Sequence, residues 1–179
     1  MTHRRILAIV TGAALLVAVT ACDDKTEGDD RQARPPAGPA TTELPTGTAK
    51  LLSPADGAQV NQCAIFTGQA NLPGDKTLVL GVRNTDNGNA ERYFEAVKNW
   101  EYPGDLKAWT GAQYFGSKDS SVGQHFRVEL LIVDLGLATK ALRNAKTEGW
   151  HAPDNPAGST IAAHITLARV AGPGPAECS

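Results

Sequence analysis

Between residues 49 and 170 the chain is a series of short runs rich in β-branched and apolar residues. Each is closed within roughly 8–12 residues by Gly, Pro, Asn or Asp, the punctuation of strands joined by tight turns. The runs fall at 49–52, 63–70, 77–83, 91–100, 107–115, 124–134 and 160–170. Pro54 presets φ in the first turn and Asp56-Gly57 tolerates the bend, while Asn87-Gly88 is a favoured hairpin turn. The run 124–134 carries the clearest alternation. Phe126, Val128, Leu130 and Ile132 share one face, and Arg127 and Glu129 take the other. Ile161, Ala163, Ile165 and Leu167 alternate in the same way in the last run. One segment breaks the pattern. Leu137, Ala138, Ala141, Leu142 and Ala145 recur at helical spacing with basic residues opposite, which predicts a short helix over 137–146. The sum is an all-β chain: an antiparallel β-sandwich of about seven strands with one short helix between the last two.

The N-terminus reads differently. His3, Arg4 and Arg5 precede an apolar stretch of 14 residues, Ile6 to Val19. That is short of the roughly 20 needed to span a bilayer and suits a signal peptide. Val19-Thr20-Ala21-Cys22 then fits the lipobox pattern of aliphatic, small, small, cysteine. We therefore expect cleavage before Cys22 and lipidation of its thiol, with a diacylglyceryl thioether (palmitate-type chains) supplying two acyl anchors. Each buried methylene adds about 0.8 kcal/mol, and stable anchoring takes more than one chain. The expected location is the extracytoplasmic face of a cell membrane. Residues 1–21 are the signal, 22–47 the lipidated cysteine and tether, and 48–179 the folded domain.

The tether begins with Asp23, Asp24, Glu27, Asp29 and Asp30 and continues into Pro35-Pro36 and Pro45, with Leu44 its only large apolar residue. Such a segment buries too little apolar area to offset chain entropy. As a flexible coil its 25 residues span on the order of 25–30 Å. The domain that follows holds 12 Lys+Arg and 13 Asp+Glu, a near-balance that argues against nucleic acid as partner. With Cys22 assigned to lipid, Cys63 and Cys178 remain as a pair in an oxidising compartment, where a disulfide persists. The other arrangement is two free thiols or a mixed partner.

Chemical motifs are sparse. No Gly-x-Ser-x-Gly or Ser-x-x-Lys occurs. Beyond the signal the histidines are His125, His151 and His164, two of them inside strand runs. No Cys-x-x-Cys or His-x-x-x-His points to zinc. Asp86-Asn87-Gly88-Asn89 lacks the ligand spacing of a calcium loop and reads as a turn. Gly172-Pro173-Gly174-Pro175 leads into no helix, so it makes no phosphate cradle. We expect no enzyme, metal or cofactor.

Aromatic residues are the one concentration. Tyr93, Phe94, Trp100, Tyr102, Trp109, Tyr114 and Phe115 are seven of the ten in the chain. Alternation puts Tyr93 and Phe94, and likewise Tyr114 and Phe115, on opposite faces of a hairpin. One set fills the core. The other is either covered, with the helix at 137–146 as cover, or exposed as a platform that stacks on sugars or anchors a protein. Trp100 and Tyr102, at the turn, and Trp150, in the loop before the last strand, are the candidate ligand-binding residues.

Ser53-Pro54-Ala55-Asp56-Gly57-Ala58-Gln59-Val60 resembles the opening of bacterial surface immunoglobulin-like modules. The stretch from Thr67-Gly68-Gln69 to Lys76-Thr77-Leu78 is similar to their second and third strands. The signal and tether resemble those of actinobacterial lipoproteins. This resemblance covers about the first half of the domain and implies an immunoglobulin-like sandwich. It implies a binding or spacer role and no catalytic residue. The expected function is a membrane-anchored, non-enzymatic module that binds an envelope protein, with envelope polysaccharide as the second ligand and a structural accessory role as the third.

Overall fold

The structure, a computed structural model, describes residues 43–116, 119–145 and 149–178. The signal, Cys22, the tether as far as residue 42, and Lys146 of the expected helix lie outside the described residues. Nine strands form two sheets: β1 (Thr48–Ser53), β2 (Gln59–Val60), β3 (Cys63–Asn71), β4 (Lys76–Asn84), β5 (Arg92–Ala96), β6 (Trp109–Tyr114), β7 (His125–Asp134), β8 (Trp150–Ala152) and β9 (Thr160–Arg169). One sheet has the order β1-β3-β6. The other has the order β2-β9-β7-β4-β5-β8. Every pairing is antiparallel except that of β2 with β9.

The core lies between the sheets, where the alternation of each strand places it. Phe66 of β3, Leu78, Leu80 and Val82 of β4, Phe126, Val128 and Leu130 of β7, and Leu167 of β9 are all buried there. Phe115 sits between two of these rings, 6.2 Å from Phe66 and 5.4 Å from Phe126 between centroids. Burying one such side chain contributes about 1.5–3 kcal/mol. Gly68 lies under Trp109, and a Cβ there would come within 2.4 Å of the indole, so the glycine leaves the room in which the buried tryptophan packs.

A second cluster lies on the outer face of the larger sheet. Val79, Phe94, Leu131 and Val133 are covered by Ala138 of α1 (Leu135–Asn144). This explains why β4 and β7 read as nearly continuous apolar runs: their middles are buried on both faces.

Several elements depart from the sequence reading. β5 stops at Ala96 instead of reaching residue 100, because Asn99 adopts φ of 60° and the chain enters a 3-10 turn at Pro103–Ala108. The short strands β2 and β8 were not foreseen; both are held by pairing with a neighbour rather than by their own pattern. The helix therefore lies between β7 and β8. In β9, a register shift opposite Leu130 and Leu131 skips Ala162, which leaves Ile161 exposed while Ile165 and Leu167 stay inside.

Cys63 and Cys178 form a disulfide with Cα atoms 6.3 Å apart across 115 residues. By the chain-entropy account, a loop of that length stabilises the fold by about 4–5 kcal/mol. It fixes the C-terminal tail to the start of β3.

Candidate functional site

β6 is the edge strand of the smaller sheet and faces β5 of the larger one across the sandwich. The two sheets part there, and the gap is a cleft of about 660 Å³. One wall is Val82 and Asn84 of β4 with Glu91, Tyr93 and Glu95 around β5. The other is Gln113 and Tyr114 of β6, continued by Gly116, Ser120 and Ser121. Phe126 and Gln124 close the end.

Gln113 is buried and ties the walls together at the cleft floor. Its Nε2 donates to the backbone oxygens of Leu80 (3.3 Å) and Tyr93 (3.2 Å) in the opposite sheet. Its Oε1 accepts from the Tyr114 backbone N–H at 2.9 Å.

The rim is built from asparagines that hold their own loop. Asp86 N–H donates to Asn84 Oδ1, Asn89 N–H to Asn87 Oδ1, and Glu91 N–H to Asn89 Oδ1, at 2.9, 2.9 and 3.0 Å. These side chains mimic backbone turns and stiffen the β4–β5 connection without strand pairing. Asn84 Nδ2 also donates to Gln124 Oε1 at 2.6 Å, joining the rim to β7. Tyr93 and Tyr114 are each half exposed, and the Tyr114 hydroxyl donates to the Cys178 carbonyl. The disulfide thus lies beside Tyr114 on the outer face of β6.

Among the described residues, Glu91 and Glu95 line the cleft and no lysine or arginine does. Glu91 accepts from or pairs with His151 Nδ1 at 2.6 Å. Burial pushes the Glu95 carboxyl above the usual glutamate range. That residue is exposed as a whole, but its acid group faces the cleft walls. A second pair, His125 Nδ1 and Asp86 Oδ2 at 2.9 Å, lies just outside. The His125 side chain and backbone N–H both hold the Asp86 carboxyl below its usual range. Each pair is two-thirds of a hydrolytic relay. Among the described residues, no serine, threonine or cysteine is seen to hydrogen-bond either imidazole.

Trp100 and Trp150 are partly buried against the outer-face cluster, and the Trp150 ring stacks 5.1 Å from Phe94. Tyr102 is 62% exposed at the 3-10 turn. The structure therefore places the three residues suggested by the sequence away from the cleft. Of the aromatic set, Tyr93 presents its ring to the cleft, while Tyr114 borders it at the strand edge and turns its hydroxyl to Cys178 on the other face of β6. The signal for them was present in the opposite-face alternation with Phe94 and Phe115. What the sequence did not carry was that β6 ends its sheet.

Neither a family model, a curated protein nor a solved structure matches this chain.

Proposed function

We propose that this protein is an exported lipoprotein, held by lipid at Cys22 on the outer face of a membrane, whose domain is a non-enzymatic module that binds envelope polysaccharide. The sheet orders support the immunoglobulin-like form of the sandwich. β1, β3 and β6 take the places of strands A, B and E. β9, β7 and β4 take those of G, F and C, and β5 adds a strand beside C.

The observation that carries the ligand is the cleft. Its volume of about 660 Å³ falls within the usual range for small-ligand sites, whereas a protein partner needs a broad face of about 800 Å². Its lining of amides, hydroxyls, two carboxylates and the half-exposed Tyr93 matches uncharged hydroxyl-rich rings, which a tyrosine face stacks against. Protein binding remains the second reading, favoured by the exposure of Tyr102.

The test is equilibrium binding of soluble envelope polysaccharide fragments to the mature chain. Tyr93→Ala and Glu95→Ala should each weaken binding at least tenfold, with Tyr102→Ala unchanged. Binding unaffected by both cleft substitutions would overturn the reading. A loss confined to Tyr102→Ala would transfer the site to the protein-binding face.

A further inference from the structure

The outer face of the larger sheet carries a second feature, independent of the cleft. Arg83 on β4 lies directly opposite Arg127 on β7. One step beyond the Val82–Tyr93 pair, the register carries Arg92 on β5 opposite Arg83 from the other side. Three arginines thus form a row across three neighbouring strands, with Cα atoms about 5 Å from strand to strand. Like charges placed directly opposite are destabilising, so the row needs compensation.

The protein supplies part of it. Glu129, buried two residues along β7, accepts from Arg127 Nε at 2.7 Å and from Asn155 Nδ2 at 2.8 Å. Burial raises the Glu129 carboxyl, but the hydrogen bonds from Asn155 and Arg127, with the charges of Arg127 and Arg92, outweigh it and hold the group below its usual range. Arg92 Nη1 donates to the backbone oxygens of Ala90 and Pro153. Arg83, at the centre, has no hydrogen-bond partner among the described residues, and its Nε is buried.

Against three guanidinium charges stands the one carboxylate of Glu129, which leaves two positive charges over. The crevice lined by Gly81, Arg83, Arg92, Arg127 and Glu129 has no room for a water. The three arginines are partly exposed, so an anion can reach them from above the face.

We propose that Arg83, flanked by Arg92 and Arg127, seats a phosphomonoester on the outer face of the six-stranded sheet. The group fits on two counts. It carries about −1.5 to −2 charge and three acceptor oxygens, which balances the two uncompensated charges and reaches more than one guanidinium. A carboxylate carries a single charge, which leaves one of the two positive charges unbalanced.

The experiment titrates inorganic phosphate and glycerol phosphate into the mature chain carrying Cys22→Ser, at low salt, by calorimetry. A parallel arm measures sedimentation with phosphatidic acid vesicles against phosphatidylcholine vesicles. Saturable binding of glycerol phosphate, weakened at least tenfold by Arg83→Gln and less by Arg83→Lys, supports the site and a soluble source. Binding to phosphatidic acid vesicles alone, lost in Arg83→Gln, supports it with a lipid source. Arg92→Gln replaces Arg83→Gln if a thermal melt shows that variant unfolded. The proposal is overturned if neither probe binds, if the arginine substitutions leave binding unchanged, or if acetate competes as well as phosphate.

Discussion

Replacing Gln113 by Leu tests whether one side chain sets the width of the cleft. Leucine keeps the bulk of glutamine and removes its amide. Three hydrogen bonds disappear: those to Leu80 O, Tyr93 O and from Tyr114 N–H. Each is worth about 0.5–1.5 kcal/mol net, and a buried group left unpaired costs more. The cleft admits water, which can re-pair the Tyr93 carbonyl and the Tyr114 N–H at part of that cost. The Leu80 carbonyl lies inside the core but belongs to the β4–β5 ladder, where Leu80 faces Glu95. A total destabilisation of about 2–4 kcal/mol follows. For a domain of this size 1 kcal/mol shifts the melting temperature by roughly 3–6 °C, so the drop should be on the order of 10 °C. Urea unfolding with the disulfide intact gives the free energy directly. The m-value should hold, since the surface exposed on unfolding is nearly the same. Polysaccharide binding should weaken as well, because Tyr93 and Tyr114 lose their common tether. A change below about 0.5 kcal/mol, with binding intact, would show that the sheets hold their spacing without Gln113.

Other outcomes follow from the same contacts. Glu129→Gln should destabilise by about 2 kcal/mol at neutral pH, because it leaves the arginine row without its carboxylate. With the folded pKa lowered, the stability due to Glu129 is complete above the unfolded glutamate value and is lost as pH falls through the folded one; acid titration of the variant should lack that component. Glu95 has the opposite sign. Its folded pKa is raised, so stability falls as pH rises from the unfolded value through the folded one, and Glu95→Gln should flatten that segment of the curve. Reduction of Cys63–Cys178 should cost up to about 4–5 kcal/mol and free the tail beside Tyr114, with urea unfolding under reducing conditions as the check. Cys22→Ala should release the protein from membranes; a variant that still sediments with them would sink the anchor.

The parts of the fold written in local pattern were legible. The alternation of Phe126, Val128, Leu130 and Ile132 gives β7 its inner face, and the helical spacing of Leu137, Ala138 and Ala141 marks the segment that becomes α1. What failed was whatever depends on a neighbour distant in sequence. Gln59–Val60 is a strand only because β9 runs alongside it, and Trp150–Ala152 only because β5 does. Ile161 has the correct parity for the core but is displaced by a bulge that no residue type announces. Among the aromatics, alternation separated Tyr93 from Phe94. It could not say which of their two faces would be roofed, since the roof is α1, more than 40 residues later. Trp100 was singled out for its place at a turn and Trp150 for its place in a loop, yet both pack on the outer-face cluster that holds Phe94.

Strand direction explains why the cleft and the arginine row occur together. Residues 44 and 47 meet Asn71, so the chain joins the domain at the end of β3. β4 starts at that end and runs away from it, carrying Arg83 and Asn84 to the opposite end. β6 likewise finishes there with Tyr114, opposite Cys63. β5 and β7 both begin there, with Arg92 and Arg127. Cleft and row therefore occupy the two faces of one sheet at the end remote from residues 44 and 47. A ligand too large for the cleft could reach around β5 from Tyr93 to Arg92, residues adjacent in sequence on opposite faces. A sugar carrying a phosphomonoester would then bind more tightly than either moiety alone, and the gain would vanish in Arg83→Gln while the sugar contribution survived. Equal affinity for the phosphorylated and plain sugars would show that the two sites act separately.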